Sequence, residues 1–133
     1  MIGVVVATHG RLAEELIRTA EGVVGALDRV APASVDAKSS DVRASVKDAI
    51  RAVDAGEGVL LLTDLPGGSP TNVCLSFLAE RKVEVITGVN LPMLLKVAAL
   101  RSSGKPIQVI ADELAEGARN SIGHVSEQLR RAL

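Results

Sequence analysis

Tryptophan and tyrosine are absent from the 133-residue chain, and Phe77 is its only phenylalanine. Stacking-based ligand pockets are thereby disfavoured, and the core has to be built from Val, Leu, Ile and Ala. One cysteine, Cys74, cannot close an intrachain disulfide, which fits a reducing compartment and a small buried hydrophobe. No activating neighbour marks it as a catalytic thiol. Charge is balanced, 15 Lys and Arg against 16 Asp and Glu, with no basic run, so nucleic acid is not an expected partner. No apolar run reaches the roughly 18 residues of a membrane span, and acidic residues come too early for a targeting peptide. A cytoplasmic protein is expected. Two histidines far apart leave a structural zinc site no ligand spacing to rest on. Walker and dinucleotide-binding glycine patterns are missing as well, so no cofactor is expected.

What is present is a run of strand and helix signals that fits a single domain over residues 1–133, long enough to bury roughly 68% of its unfolded surface. Residues 2–7 are continuously apolar, as in a parallel strand covered on both faces. Leu12, Leu16, Ile17, Ala20, Val23 and Val24 then follow helical spacing up to Gly25. Asp28 to Ser34 reads as a second strand, placed near a sheet edge by Pro32. Ser39-Ser40-Asp41 forms a cap cluster ahead of a helix with Val42, Val46, Ile50 and Val53 on its stripe. Val59 to Thr63 is the most hydrophobic strand, and Ser69-Pro70 opens the helix after it, with Val73, Cys74, Phe77 and Leu78 inward.

Val83 to Ile86 gives a fourth strand, followed from Leu91 to Leu100 by a helix so apolar that it needs cover. Ile107 to Ile110 reads as a short fifth strand, and Leu114, Ala118, Ile122, Val125 and Leu129 as one closing helix with His124 on its surface. The expected fold is α/β: an open, doubly wound, mainly parallel sheet of four strands with helices on both faces.

Three successive strands end in turns carrying His9, Asp64 and Asn90. In a doubly wound sheet these ends share one edge, where such folds place their chemistry. Imidazole is a nucleophile that titrates near physiological pH, and a helix N-terminus stabilises negative charge. His9, between a strand and a helix, is therefore a candidate phosphoryl acceptor; a histidine that only caps a turn is the alternative. Asp64 is placed to accept a hydrogen bond from one ring nitrogen of His9 and fix its tautomer, or else to bond local amides. Gly67, Gly68 and Ser69 could offer amide hydrogens and a hydroxyl to phosphate oxygens, although Ser69 also suits a plain helix cap.

Ile2 to Gly10, the turn Asp64-Leu65-Pro66-Gly67-Gly68-Ser69-Pro70-Thr71-Asn72, and Ile86 to Leu95 together resemble the EIIA domain of the mannose family of bacterial phosphotransferase systems. The resemblance spans nearly the whole chain in the right order. It implies that His9 is phosphorylated by the phosphocarrier HPr and passes the phosphoryl group to an EIIB partner during sugar uptake. Asp64 matches the acidic residue that orients the histidine, on the inner ring nitrogen, with the phosphoryl group on the outer one. Gly67, Gly68 and Ser69 match the loop beside it.

The family is dimeric with its fifth strand at the subunit interface, so the resemblance implies that the fifth strand beside the four-stranded sheet is antiparallel and near a dimer interface; a membrane permease is involved only indirectly. Pro66 stands where many members carry a large aromatic or aliphatic residue, which puts partner choice in question. No EIIB domain follows, so EIIB is expected as a separate protein. A regulatory phosphoprotein or binding module without sugar transport, the EIIA-like subunit of dihydroxyacetone kinase, and a phosphate- or nucleotide-binding α/β domain with a structural His9 remain the alternatives.

Overall fold

A computed structural model describes residues 1–35 and 41–133. Its sheet contains β1 (Gly3–His9), β2 (Val30–Val35), β3 (Val59–Thr63) and β4 (Val83–Ile86) in the order β2-β1-β3-β4. Every neighbouring pair is parallel, with Val5 opposite both Ala31 and Leu61, and Leu61 opposite Val85. The helices are α1 (Leu12–Val24), α2 (Val42–Val53), α3 (Ser69–Leu75), α4 (Leu91–Leu100), α5 (Ile107–Asn120) and α6 (Val125–Ala132).

Strand alternation divides the core into two layers. Val4, Val6, Leu60 and Leu62 face α1, α4 and α5, whereas Val5, Ala7, Val59 and Leu61 face α2 and α3. Because both faces are covered, β1 and β3 can be apolar at every turn of the pleat, which is why they read as unbroken hydrophobic runs. Phe77 fills the second layer completely buried, and the guanidinium of Arg43 lies 4.3 Å from its ring centroid. The cover that α4 needs comes from α1 and α5, around Met93, Leu94 and Val97. Truncating a fully buried side chain there, such as Leu94 or Leu114, would cost about 2–5 kcal/mol.

Asp41 caps α2 as expected, its side chain accepting the Ala44 N–H at 3.1 Å, while Ser39 and Ser40 lie outside the described residues. β2 occupies an edge, as Pro32 required. On α1 the inward residues are Ala13, Ile17 and Ala20, and Leu12, Val23 and Val24 are exposed. On the α3 side Cys74 and Phe77 point inward but Leu78 is exposed.

The expected fifth strand is corrected by the structure. Residues 107–110 open α5, and no fifth strand is present among the described residues. Pro106 provides the extended residue ahead of the helix, and Ile107, Ile110, Ala111, Leu114 and Ala118 are all buried at helical spacing. The β-branched run Ile107-Gln108-Val109-Ile110 has strand-like composition, but burial of one helical stripe against the sheet outweighs a propensity difference of about 1 kcal/mol. The closing helix is likewise divided. α5 ends at Asn120, and α6 carries no buried residue.

Candidate functional site

In a parallel sheet of order 2-1-3-4, successive crossovers leave β1 in opposite directions, opening a crevice between the carboxyl ends of β1 and β3. His9 is the last residue of β1, and Asp64 is the first after β3. The Asp64 Oδ2 accepts the Nδ1–H of His9 at 2.9 Å and the backbone N–H of His9 at 3.0 Å. The second bond ties the carboxylate to the strand; the first then sets the imidazole tautomer. With Nδ1 bearing the proton, Nε2 keeps its lone pair. The His9 side chain is 50% exposed and that of Asp64 only 14%, so the imidazole faces outward and its carboxylate partner lies inside.

Burial of the Asp64 carboxyl by itself favours the neutral acid. The hydrogen bonds from the ring and amide of His9 outweigh it and hold the group below the usual aspartate range. Asp64 is therefore a carboxylate at neutral pH. Its other oxygen, Oδ1, is buried without a hydrogen-bond partner among the described residues.

Three threonines that the sequence analysis did not single out hold this pair in place. Thr8 is fully buried, and its Oγ1 accepts the Ala13 N–H at 2.7 Å, satisfying a first-turn donor of α1 and anchoring the chain on both sides of His9. Thr71 donates to the Leu65 carbonyl at 2.7 Å, so the 2.7 Å contact between Thr63 and Thr71 has Thr63 as donor. This chain of hydroxyls fastens both ends of the Asp64 turn to the start of α3. The signal for it was a threonine at the last buried position of each apolar strand, immediately before the reactive turn.

Gly68 packs against the imidazole. A Cβ at this position would stand 2.9 Å from Cε1 of His9 and 3.3 Å from the Leu65 carbonyl oxygen. Its N–H is already donated to Leu65 O at 3.1 Å. Gly67 has a φ of 77°, a conformation that glycine adopts without strain. Ser69 opens α3 next to them and is exposed.

Asn90 does not join the site through its side chain. Its Oδ1 accepts the Met93 N–H at 2.9 Å as the cap of α4, and its Nδ2 donates to Gly88 O at 3.3 Å. Cys74 is buried, and desolvation pushes its thiol up to about 12, which leaves no thiolate for catalysis at neutral pH. His124 is exposed at the start of α6. No cluster of His, Cys, Asp or Glu among the described residues could hold a metal ion, and no described helix is long and apolar enough to cross a membrane.

An exposed imidazole, backed by a carboxylate at the switch point of a parallel α/β sheet, defines a class of protein in which a nucleophilic nitrogen is presented on an open surface. Residues 3–115 match the EIIA-man family, the fructose IIA component of the phosphotransferase system, and the chain belongs to that family. It is 31% identical over 124 residues to the mannose-specific EIIAB component of Escherichia coli strain K12, covering 91% of this chain. The chain spans 38% of that relative's length.

Among solved structures, EIIA from Streptococcus agalactiae superposes with a TM-score of 0.87 at 26% identity, covering 96% of this chain and 99% of that one. The IIA protein associated with the fucose utilization operon of Streptococcus pneumoniae does so with a TM-score of 0.81 at 34% identity, covering 96% and 95%. The chain is thus a phosphotransferase-system component of EIIA type.

Proposed function

We propose that the chain is a phosphocarrier that accepts a phosphoryl group from phospho-HPr on Nε2 of His9 and passes it to an EIIB partner. The observation that carries this reading is the double bond of Asp64 Oδ2 to the ring and amide of His9, at 2.9 and 3.0 Å. In the acceptance step the Nε2 lone pair attacks phosphorus, an N–P bond forms, and the N–P bond to the donor imidazole breaks. The ring of His9 becomes cationic, and the adjacent Asp64 carboxylate stabilises that charge while Nδ1 keeps its proton. The reverse displacement on a partner nucleophile returns the imidazole to its starting tautomer.

Gly67, Gly68 and Ser69 form the wall for the phosphoryl oxygens in this proposal. The role of Gly68 is space, since its N–H is taken by Leu65. Ser69 supplies the hydroxyl and the N–H at the start of α3. Leu65 and Pro66 are exposed in the same turn and would meet the protein partners, so Pro66 bears on which partners fit.

Family membership also supports a cytoplasmic site of action and a homodimer. The exposed side chains of Ile122, Val125 and Leu129 offer a surface for the second copy.

Intact-mass measurement after incubation with phosphoenolpyruvate, enzyme I and HPr tests the proposal. One acid-labile phosphoryl adduct is expected on the wild type and none on His9→Ala. An adduct that persists in His9→Ala, or the absence of any adduct with cognate proteins, would overturn it.

A further inference from the structure

At the opposite end of the sheet, where the strands begin, an open cleft of about 370 Å³ is lined by Lys82, Arg101, Lys105 and the start of α5 at Pro106 and Ile107. Its size falls in the lower part of the roughly 300–1,000 Å³ range of small-molecule sites. Seven residues of β1 separate Ile2, which also lines it, from the far side of His9, a span of about 20 Å. The cleft is therefore independent of the histidine site.

Its charge balance is unusual for so nearly neutral a chain. Arg101 is only 6% exposed, yet its buried Nη1 has no hydrogen-bond partner among the described residues. Leaving a buried charged donor unpaired is costly, on the order of 1–3 kcal/mol or more, and such a group calls for an acceptor. Burial lowers the affinity of its guanidinium for the proton, and the field of Asp28 opposes this only in part. Lys82 makes no salt bridge among the described residues, whereas Lys105 is paired with Glu113 at 2.6 Å.

The one carboxylate lining the cleft, Glu57, is neutralised by the Met1 ammonium at 2.7 Å. α5, 14 residues long, directs its N-terminus here with no side-chain cap, adding unpaired N–H groups and the positive end of its dipole. An arginine whose buried Nη1 is unpartnered and a lysine without a salt bridge, both among the described residues, thus line one small cleft together with an uncapped helix start.

We infer that this cleft is a binding site for the phosphate group of a small phosphorylated molecule. A tetrahedral dianion can accept from the guanidinium fork, Lys82 and the first-turn amides together, which a planar carboxylate cannot do as fully. The cleft also has room for more than the phosphate itself.

The test is titration of the isotope-labelled full chain at low ionic strength with inorganic phosphate and, separately, with glucose 6-phosphate, following backbone amide shifts. Saturable shifts are expected at Lys82, Arg101 and Ile107, and Lys82→Gln should weaken binding about tenfold through loss of one charged hydrogen bond. Lys47→Gln, on α2, serves as the charge control and should bind as the wild type does. Tighter binding of glucose 6-phosphate identifies a phosphate ester as the ligand, and equal binding identifies free phosphate; either outcome supports the site.

Arg101→Lys should retain the fold and lose most of the affinity. Should that variant unfold, Lys82→Gln, an exposed position, still decides the matter. Absence of saturable shifts at these amides, shifts confined to the His9 loop, or unchanged affinity in Lys82→Gln would overturn the inference.

Discussion

One carboxylate oxygen, Oδ2 of Asp64, accepts from both the ring and the backbone amide of His9. Because the amide belongs to β1, the imidazole is held by the same strand that presents it, and its orientation follows from the pairing of β1 with β3. In the phosphoryl transfer proposed above, the acid would fix the tautomer and meet the charge placed on the ring.

Asp64→Asn keeps the shape of the contact and removes the charge. Phosphoryl acceptance from phospho-HPr should fall about tenfold or more, through weaker stabilisation of the cationic ring and a mixed tautomer. Rapid-quench measurement of the acceptance rate decides this, and a rate equal to wild type would take Asp64 out of the mechanism.

Gly68→Ala and Gly67→Ala should separate function from stability. At Gly68 the backbone is in the extended region, so the new methyl group acts by pressing on Cε1 of His9, 2.9 Å away, and less closely on the Leu65 carbonyl oxygen at 3.3 Å. Acceptance should drop with little change in melting temperature, because the half-exposed imidazole can turn aside. At Gly67, where φ is 77° and a Cβ meets nothing, the cost is backbone strain of about 1 kcal/mol. Its melting temperature should fall while the ring of His9 keeps its place, as read from the His9 ring resonances.

Acid stability should report the Asp64 contact with a definite sign. Its folded carboxyl lies below the unfolded value of about 3.9, so the unfolded chain binds the extra proton. The contribution is therefore complete above that value and is lost as pH falls through the lower folded one. Denaturant unfolding between pH 5 and 2 should show a steeper loss for wild type than for Asp64→Asn; parallel curves would contradict the assignment.

Cys74 should be inert. With its thiol pushed up to about 12 by burial, alkylation by a thiol reagent at pH 8 should proceed only through unfolding, and Cys74→Ala should leave phosphoryl acceptance unchanged. Alkylation of the native chain at the rate of a free cysteine would show that the site opens.

Much of this protein was legible residue by residue. The two inner strands could be read because a parallel strand covered on both faces reads as a nearly continuous apolar run, and β1 and β3 do so up to Thr8 and Thr63. His9 and Asp64 were legible because turns after such strands are where reactive side chains can remain exposed on a rigid frame. The same local reading failed at residues 107–110, where Ile, Val and Ile in close succession suit a strand. There the outcome depended on which face of the segment could be buried, and the first core layer accepts the stripe of Ile107, Ile110 and Leu114 that only a helix presents.

The order of the hydrophobic runs and the chemistry of the turns determined an α/β chain with a histidine and an aspartate at strand ends. Only the tertiary structure decided that β1 lies directly beside β3, putting Asp64 within 2.9 Å of a residue 55 positions away. It alone also assigned Asn90 to a cap, drew Thr63 and Thr71 into the support of the turn, and left Nη1 of Arg101 buried without a partner among the described residues. The physical reason is range. Periodicity and turn chemistry act over a few neighbouring residues, whereas strand order and the pairing of buried polar groups are settled by packing the whole chain at once.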